Sequence, residues 1–165
     1  MKGFSPGLFD RLMEGSTRSA PQGAPAAVTR LSIEELKDSV ARDLEALLNT
    51  RAAIGDDRIR AFPECARSIM TYGLKDFAGL SLSSSDDRAY ICACIEKTIG
   101  RHEPRLRNVR AALAVQEGTI NRLNFAITAL LVLHAEQEPV NFDAVLQPSS
   151  LHYTISKARR LAQGT

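Results

Sequence analysis

The chain has 165 residues, long enough for one domain with a hydrophobic core and too short for two. Its 21 basic and 19 acidic residues leave a net charge of only +2, which disfavours a protein that binds nucleic acid mainly by neutralising phosphates. The three cysteines favour a reducing compartment, and the longest apolar run, residues 126–133, is too short to span a membrane. With no apolar core of a signal peptide at the N-terminus, we expect a cytoplasmic protein without direct membrane insertion.

Residues 1–30 predict a short helix followed by a flexible linker. Ser5 and Pro6 supply a cap and a first-turn proline, and residues 15–30 have the small, polar, proline- and glycine-containing composition of a linker. The helix would either dock on the chain's own core or bind a partner. The pattern further predicts a single α+β domain over residues 31–157 and a basic C-terminal tail over residues 158–165.

The strongest predicted helix covers residues 32–50. Ser32 and Glu35 have the spacing of a capping box. Charged side chains, among them Asp43 and Glu45, are expected to cover its outer side. The apolar residues recur at intervals of three and four, as in an amphipathic helix with one buried face: Ile33, Leu36, Val40, Leu44, Leu47 and Leu48.

The middle of the chain has weaker periodicity. We predict a turn at residues 55–57, a short helix over residues 63–69 and a break at residues 72–74. A longer helix should follow, capped by the serines at 83–85 and ended by Gly100. Its predicted inner face is formed by Cys92, Ile95 and Ile99.

After Pro104 the apolar residues alternate with a period of two. Strands are predicted over residues 109–115, 123–133, 140–146 and 151–155. The short turns between them imply an antiparallel meander of three to four strands. With the helices grouped before the strands, the predicted fold is α+β, with N-terminal helices packed on this meander.

The sequence "HEPRL" at residues 102–106 connects the last helix to the first strand. Pro104 favours an extended Glu103, which would place the Glu103 and Arg105 side chains on the same side of the chain. One interpretation is a solvated ion pair that contributes roughly 0 to 1 kcal/mol. The other is a polar anchor in which Arg105 binds a partner's carboxylate or carbonyl oxygens with two donors.

Five segments together resemble the TssE family of type VI secretion baseplate subunits, in the lysozyme-like baseplate wedge family, which is similar to the sheath-initiating wedge protein of contractile-tailed phages. They are "LFDRL" (8–12), "LEALLNTR" (44–51), "SIMTYGLKDF" (68–77), "HEPRL" (102–106) and "RLNFAITALL" (122–131). The resemblance covers about residues 8–157. His102 departs from the pattern, because the family often has an apolar residue there.

The resemblance implies a non-enzymatic adaptor, in a baseplate assembled at the cytoplasmic side of the inner membrane, without cofactor or metal. The implied partners are TssF- and TssG-like wedge subunits and contractile sheath subunits, with a TssK-like subunit as a further candidate. It also implies that strand exchange at a sheet edge starts the first sheath ring. The candidate partner-binding residues are Asn49, Arg51, Glu103, Pro104, Arg105 and Leu106.

A peptidoglycan-cleaving hydrolase is the main alternative. Such an enzyme usually needs two carboxyl groups in one cleft, one of them protonated, and the acids nearest to the motifs are Glu64, Asp76 and Glu103. Arg105 opposes the protonated state of Glu103, and the chain has no tryptophan platform for a saccharide. We therefore predict no catalytic residues.

Metal and nucleic-acid sites are also disfavoured. His102, His134 and His152 lie on different predicted elements, so they do not form a ligand set. A local basic cluster runs from Arg101 to Arg110, but no aromatic stacking platform accompanies it. Nucleic acid is therefore not an expected partner.

Overall fold

The structure is a computed structural model that describes residues 4, 31–77, 79–81, 84–114, 123–133, 136–147, 150 and 152–158. The predicted N-terminal helix, its linker, the first hairpin turn and nearly all of the C-terminal tail lie outside the described residues. The chain divides into two compact units, residues 1–40 and 41–165. Within the described part of the chain, no helix is both long and apolar enough to cross a bilayer.

Helix α1, Ile33–Asn49, begins as predicted. The Ser32 backbone N–H donates to the Glu35 carboxylate at 2.7 Å, and the Glu35 N–H donates to Ser32 Oγ at 3.3 Å. This reciprocal pair confirms the capping box, which satisfies two of the amide groups left free at a helix start. In the part of α1 that belongs to the second unit, the buried residues are Ala41, Leu44, Leu47 and Leu48.

The segment after α1 contains one helical turn, α2 (Asp56–Ile59), and two 3₁₀ turns, Cys65–Arg67 and Ile69–Thr71. The prediction of one helix over residues 63–69 was therefore wrong. Ser68 interrupts it, because its hydroxyl donates to the Cys65 carbonyl at 2.8 Å and accepts from the Met70 N–H at 3.2 Å. Such local bonds compete with helical ones.

Helix α3, Ser85–His102, has the predicted serine cap: Ser84 Oγ accepts from the Asp87 N–H at 3.3 Å. Its buried column is Ile91, Ile95 and Ile99, spaced by four residues. Cys92, which we predicted to face the core, is only half-buried.

The predicted stop of this helix at Gly100 was also wrong, because α3 continues for two further residues. The Glu103 N–H still donates to the Ile99 carbonyl at 2.8 Å. The helix ends there because the residue before Pro104 is sterically disfavoured in the helical conformation.

The four strands are β1 (Leu106–Ala114), β2 (Leu123–Leu133), β3 (Glu136–Gln147) and β4 (His152–Lys157). They form one antiparallel sheet in the order β1-β2-β3-β4, which confirms the predicted α+β meander. Helix α3 packs closely along β1. The alternation in β2 is as expected for a strand with one face in the core, and its buried residues are Phe125, Ile127, Ala129, Leu131 and Leu133.

Strand β1 contains a bulge that the alternation did not predict. Arg107 pairs with Leu130 and Arg110 with Thr128, so two residues of β1 oppose one of β2. Asn108 takes a positive φ of 52° at this point, a conformation that asparagine tolerates better than most residues. The bulge changes the direction of β1 directly after the "HEPRL" segment.

Gly73 allows the end of α1 to approach the 3₁₀ segment. The Leu74 N–H donates to the Thr50 carbonyl and the Ala52 N–H donates to the Leu74 carbonyl, both at 2.8 Å. Gly73 has φ 109°, and a Cβ atom there would lie 2.5 Å from the Thr50 carbonyl oxygen. Both the backbone angle and the space therefore require glycine.

We predict that Gly73→Ala lowers the free energy of unfolding by about 2 kcal/mol or more, because it combines a disfavoured φ with a backbone clash. Urea unfolding of the purified chain measures this change. The matched control is Gly100→Ala, which adds a Cβ to a helix where no atom lies within 4 Å. Gly100→Ala should raise the free energy of unfolding by roughly 0.5 to 1 kcal/mol. Equal effects of the two substitutions would contradict the requirement for glycine at position 73.

Candidate functional site

The "HEPRL" segment forms a β-turn. The Leu106 N–H donates to the Glu103 carbonyl at 3.1 Å, and Pro104 occupies the second position, where its fixed φ is favourable. The expected extended conformation is thus replaced by a turn that starts from Glu103 at φ −117° and ψ 86°. The expected meeting of the Glu103 and Arg105 side chains is confirmed, although a turn brings them together.

Arg105 binds two carboxylates of its own chain. Its Nε donates to Glu103 Oε1 at 2.7 Å and its Nη2 to Glu103 Oε2 at 2.6 Å, which is a two-point contact. Nη2 also donates to Asp43 Oδ2 on α1. Glu103 is only 5% exposed, so the pair is not the solvated surface pair that one interpretation proposed. We call Asp43, Glu103 and Arg105 the arginine cluster.

The cluster contains two carboxylates and one guanidinium, so it has one negative charge in excess. The more exposed of the two carboxylates is that of Asp43. The Asp43 side chain is 45% exposed, whereas that of Glu103 is 6% exposed. Hydrogen bonding to Glu103 raises the pKa of Arg105 further above its usual value, against the opposing effect of burial. Burial, and then the charges of Asp43 and Glu103, raise the pKa of Tyr72.

His102 joins the end of α3 to the second 3₁₀ turn. Its Nε2 lies 2.9 Å from the Thr71 carbonyl oxygen and 3.1 Å from Thr71 Oγ1. Because a carbonyl oxygen only accepts, Nε2 must carry a proton. The ring also meets Tyr72 edge-on, with centroids 5.4 Å apart. His102 therefore packs within the chain, as the apolar residues of the family pattern would.

The candidate partner-binding residues do not all lie in one place. Glu103, Pro104, Arg105 and Leu106 form one turn, in which Pro104 is exposed and Leu106 is buried at 2% exposure. Asn49 instead faces β4, and Arg51 is exposed where the backbone pairs with Leu74. Their role towards a partner stays a prediction.

Asp43 is the site residue that the sequence pattern missed. It was assigned to the outer face of α1, and the structure places it against Arg105, 62 residues away. A signal existed in Arg105 itself, since a guanidinium has five donors and one carboxylate accepts only part of them. Nothing local indicates which of the 19 acidic residues supplies the second acceptor.

The edge strands of the sheet are covered by helix side chains. On β4, the Tyr153 N–H and carbonyl bind the Asn49 amide, each at 2.8 Å, and the Ile155 N–H donates to Glu45 Oε2 at 2.8 Å. The outer face of α1 thus supplies contacts that we had assigned to solvent.

On β1, the Ala111 N–H donates to Glu96 Oε1 at 2.8 Å. Burial raises the pKa of Cys92, and a hydrogen bond from the Leu113 backbone opposes that rise. The outward-facing backbone groups of Tyr153, Ile155 and Ala111 are therefore occupied, although the resemblance implies strand exchange at a sheet edge.

The geometry of the described residues does not favour a hydrolase, metal or nucleic-acid site. Both carboxylate oxygens of Glu103 accept from Arg105, whereas a general acid must donate a proton. Among the described residues, no three His, Cys, Asp or Glu side chains are grouped to hold a metal ion. Of the arginines in the basic cluster, Arg105 binds carboxylates and Arg110 lies 3.5 Å from Glu96.

We predict that Arg105→Ala lowers the free energy of unfolding by about 2 to 4 kcal/mol, because it leaves the buried Glu103 without its cation. Asp43→Asn should cost about 1 kcal/mol or less, since that carboxylate is 45% exposed and the amide oxygen can still accept. Urea unfolding of both variants measures the two changes. An Arg105→Ala variant as stable as the wild type would show that the cluster is not a structural constraint.

His102 should contribute to pH-dependent stability. Burial lowers the pKa of His102 below its ordinary value of 6.5, so the unfolded chain binds more protons just below that pH. Stability is therefore lost as the pH falls through about 6.5. His102→Gln keeps an N–H donor without titrating, and it should lose less stability than the wild type between about pH 7.5 and 5.5, measured by urea unfolding. Equal losses of stability in the variant and the wild type would show that His102 does not cause the pH dependence.

Comparison with known proteins gives one family. Residues 34–136, more than half of the chain, match the family described as "Baseplate wedge protein gp25". A chain of the solved structure "The baseplate complex from the type VI secretion system" is similar, with 16% identity and a TM-score of 0.45, covering 69% of this chain and 96% of that chain. No protein with a curated description matches the sequence. On the family match, which confirms the resemblance to baseplate wedge proteins, the chain belongs to the baseplate wedge protein gp25 family.

Proposed function

We propose that the chain is a TssE-type wedge subunit of a type VI secretion baseplate. In this role it is a non-enzymatic adaptor that joins neighbouring wedge subunits and initiates assembly of the contractile sheath. Family membership supports the structural role in a baseplate, and the sequence motifs support the type VI assignment. The proposed partners are TssF- and TssG-like subunits and sheath subunits, with a TssK-like subunit as a further candidate, on the cytoplasmic side of the inner membrane.

One observation carries the proposal: three motif segments that are distant in sequence are joined around the arginine cluster. "LEALLNTR" follows Asp43 directly and pairs with Leu74 of "SIMTYGLKDF", and Thr71 of that segment contacts His102 of "HEPRL". Stability alone does not require a buried ion pair at such a junction, because apolar residues often replace one without loss. A junction that presents charged groups to a partner in fixed positions would retain such a pair, and this is the reading that we propose.

The exposure of each residue in this junction decides which of them a partner can reach. The burial of Glu103 supports the reading in which it aligns Arg105 over the reading in which it pairs with a partner base. The half-exposed Asp43 carboxylate and the exposed Pro104 ring form the accessible surface of the turn. We propose that a wedge subunit binds there, with a basic side chain at Asp43 and an apolar contact at Pro104.

The proposal predicts a specific loss of assembly in Arg105→Ala. When co-expressed with TssF- and TssG-like subunits, this variant should co-purify at about a tenth of the wild-type amount or less, a loss equivalent to about 1.4 kcal/mol. Without its guanidinium, the turn no longer holds Asp43 and Pro104 in the binding arrangement. The amount bound is measured on purified complexes at a temperature where the variant is folded.

The matched control is Gly73→Ala, which is expected to be similarly destabilised without removing a charged group. It should still co-purify and support fluorescent sheath assembly in cells. If Arg105→Ala co-purifies like the wild type and supports sheath assembly at the wild-type frequency, the cluster is not the wedge anchor. If both variants fail equally, the loss reflects stability and the proposal is also wrong.

A further inference from the structure

Three basic side chains line one small pocket in the second unit, which we call the basic pocket. Lys97 and Arg101 are four residues apart on α3, and Lys75 follows the backbone pairing of Leu74 with Arg51. None of the described residues that line this pocket is acidic. Like charges four residues apart destabilise a helix, so helix formation alone does not favour this grouping.

The basic pocket has one polar wall and one apolar wall. The polar wall is a single face of α3, because Lys97, Thr98 and Arg101 lie within one helical turn. The apolar wall comes from the segment that follows α1 and includes Ile54 and the buried Ile59. An apolar wall displaces water and thereby strengthens the attraction between a bound anion and the three cations.

Arg101 is the member of the basic pocket on which binding depends most. Of its neighbours in the basic cluster 101–110, Arg105 and Arg110 face carboxylates of the chain, whereas Arg101 forms no ion pair with a described residue. Burial lowers the pKa of His102, a hydrogen bond to the Thr71 backbone opposes this, and the charge of Arg101 lowers it further. Lys75 and Lys97 make other contacts within the chain, so they add charge while Arg101 supplies the main donors.

The volume of the basic pocket favours a small anion. It is about 30 Å³, and one enclosed water molecule needs roughly 10 to 15 Å³. There is therefore room for about two oxygen atoms, as in a carboxylate, whereas a phosphate group has more. A carboxylate is also the anion that a guanidinium can bind with two parallel donors.

We propose that the basic pocket binds the carboxylate of an aspartate or glutamate in a segment of another protein. Arg101 donates to the carboxylate, and an aliphatic residue beside the acid packs on Ile54. The mouth is accessible to such a segment, because Lys97 and Arg101 are exposed. This surface is the electrostatic opposite of the turn at Asp43, which presents a carboxylate. It is independent of the proposed baseplate function, because it follows from charge and volume alone.

Nuclear magnetic resonance titration of the isolated chain tests the site with two tripeptides that have blocked termini. Leu-Glu-Leu carries one carboxylate and Leu-Gln-Leu carries none. The amide signals of Thr98 and Arg101 should shift saturably with Leu-Glu-Leu, and Leu-Gln-Leu should bind at least about tenfold more weakly, because it lacks the charge-assisted contact. Bound Leu-Glu-Leu should also raise the pKa of His102, because its carboxylate offsets the charge of Arg101.

Arg101→Gln and Arg107→Gln are a matched pair of variants. Both arginines are exposed and belong to the same basic cluster, but only Arg101 lines the pocket. Arg101→Gln should weaken the binding of Leu-Glu-Leu at least about tenfold. Arg107→Gln should weaken it less than about twofold, because salt screens an exposed charge outside the pocket.

The proposal is overturned if the signals do not approach saturation with Leu-Glu-Leu by about 10 mM, or if the two variants bind it equally. Inorganic phosphate is the third probe, and tighter binding of phosphate than of Leu-Glu-Leu would assign the pocket to phosphate groups and overturn the proposal as well. None of these results depends on wedge or sheath subunits, so failure here is distinct from failure of the proposed baseplate function.

Discussion

The described fold of the second unit depends on satisfying one guanidinium. Arg105 lies between a carboxylate two residues before it and another on α1, 62 residues away. Removing such charges from water costs several kcal/mol per ion, so each must be paired in the folded chain. The paired arrangement exists at one position of α1 relative to the turn. Arg105 thereby sets where residues 41–49 lie against the start of β1.

This constraint explains the order of an acid, a proline and an arginine between a helix and a strand. Pro104 ends α3 and occupies the position of the β-turn that suits its fixed φ. The turn then brings the Glu103 carboxylate and the Arg105 guanidinium into two-point contact. A glycine-rich connector could make the turn, but it would neither fix its conformation nor supply the charges that meet Asp43.

The sequence predicted well what is local and poorly what is distant. The capping box, the apolar column of α1 and the four alternating strands all follow from residues within one helical turn or one strand. The Asn108 bulge, the contact of Asp43 and the edge bonds of Glu45 depend on residues of other elements. No spacing within α1 distinguishes an acid that faces solvent from one that faces a strand edge.

The predicted end of α3 at Gly100 shows that local signals also differ in strength. Glycine near a helix end favours a stop, but Pro104 was a stronger signal four residues later, and α3 continues to it. The weak preference of glycine for a helix end was overridden by the steric exclusion of the helical conformation before proline. The meeting of Glu103 and Arg105 was therefore predicted, whereas the turn conformation of "HEPRL" and the contact of Asp43 were not.

Residues 41–49 of α1 contact both the arginine cluster and strand β4. Asp43 contacts Arg105 and Glu45 contacts Ile155, and these acids are two residues apart on one helix. A helical segment moves as a nearly rigid unit because its backbone bonds are all internal. Displacement of residues 41–49 at the arginine cluster therefore also strains the bonds that cover β4. Residues 41–49 therefore couple the arginine cluster to the outer edge of β4.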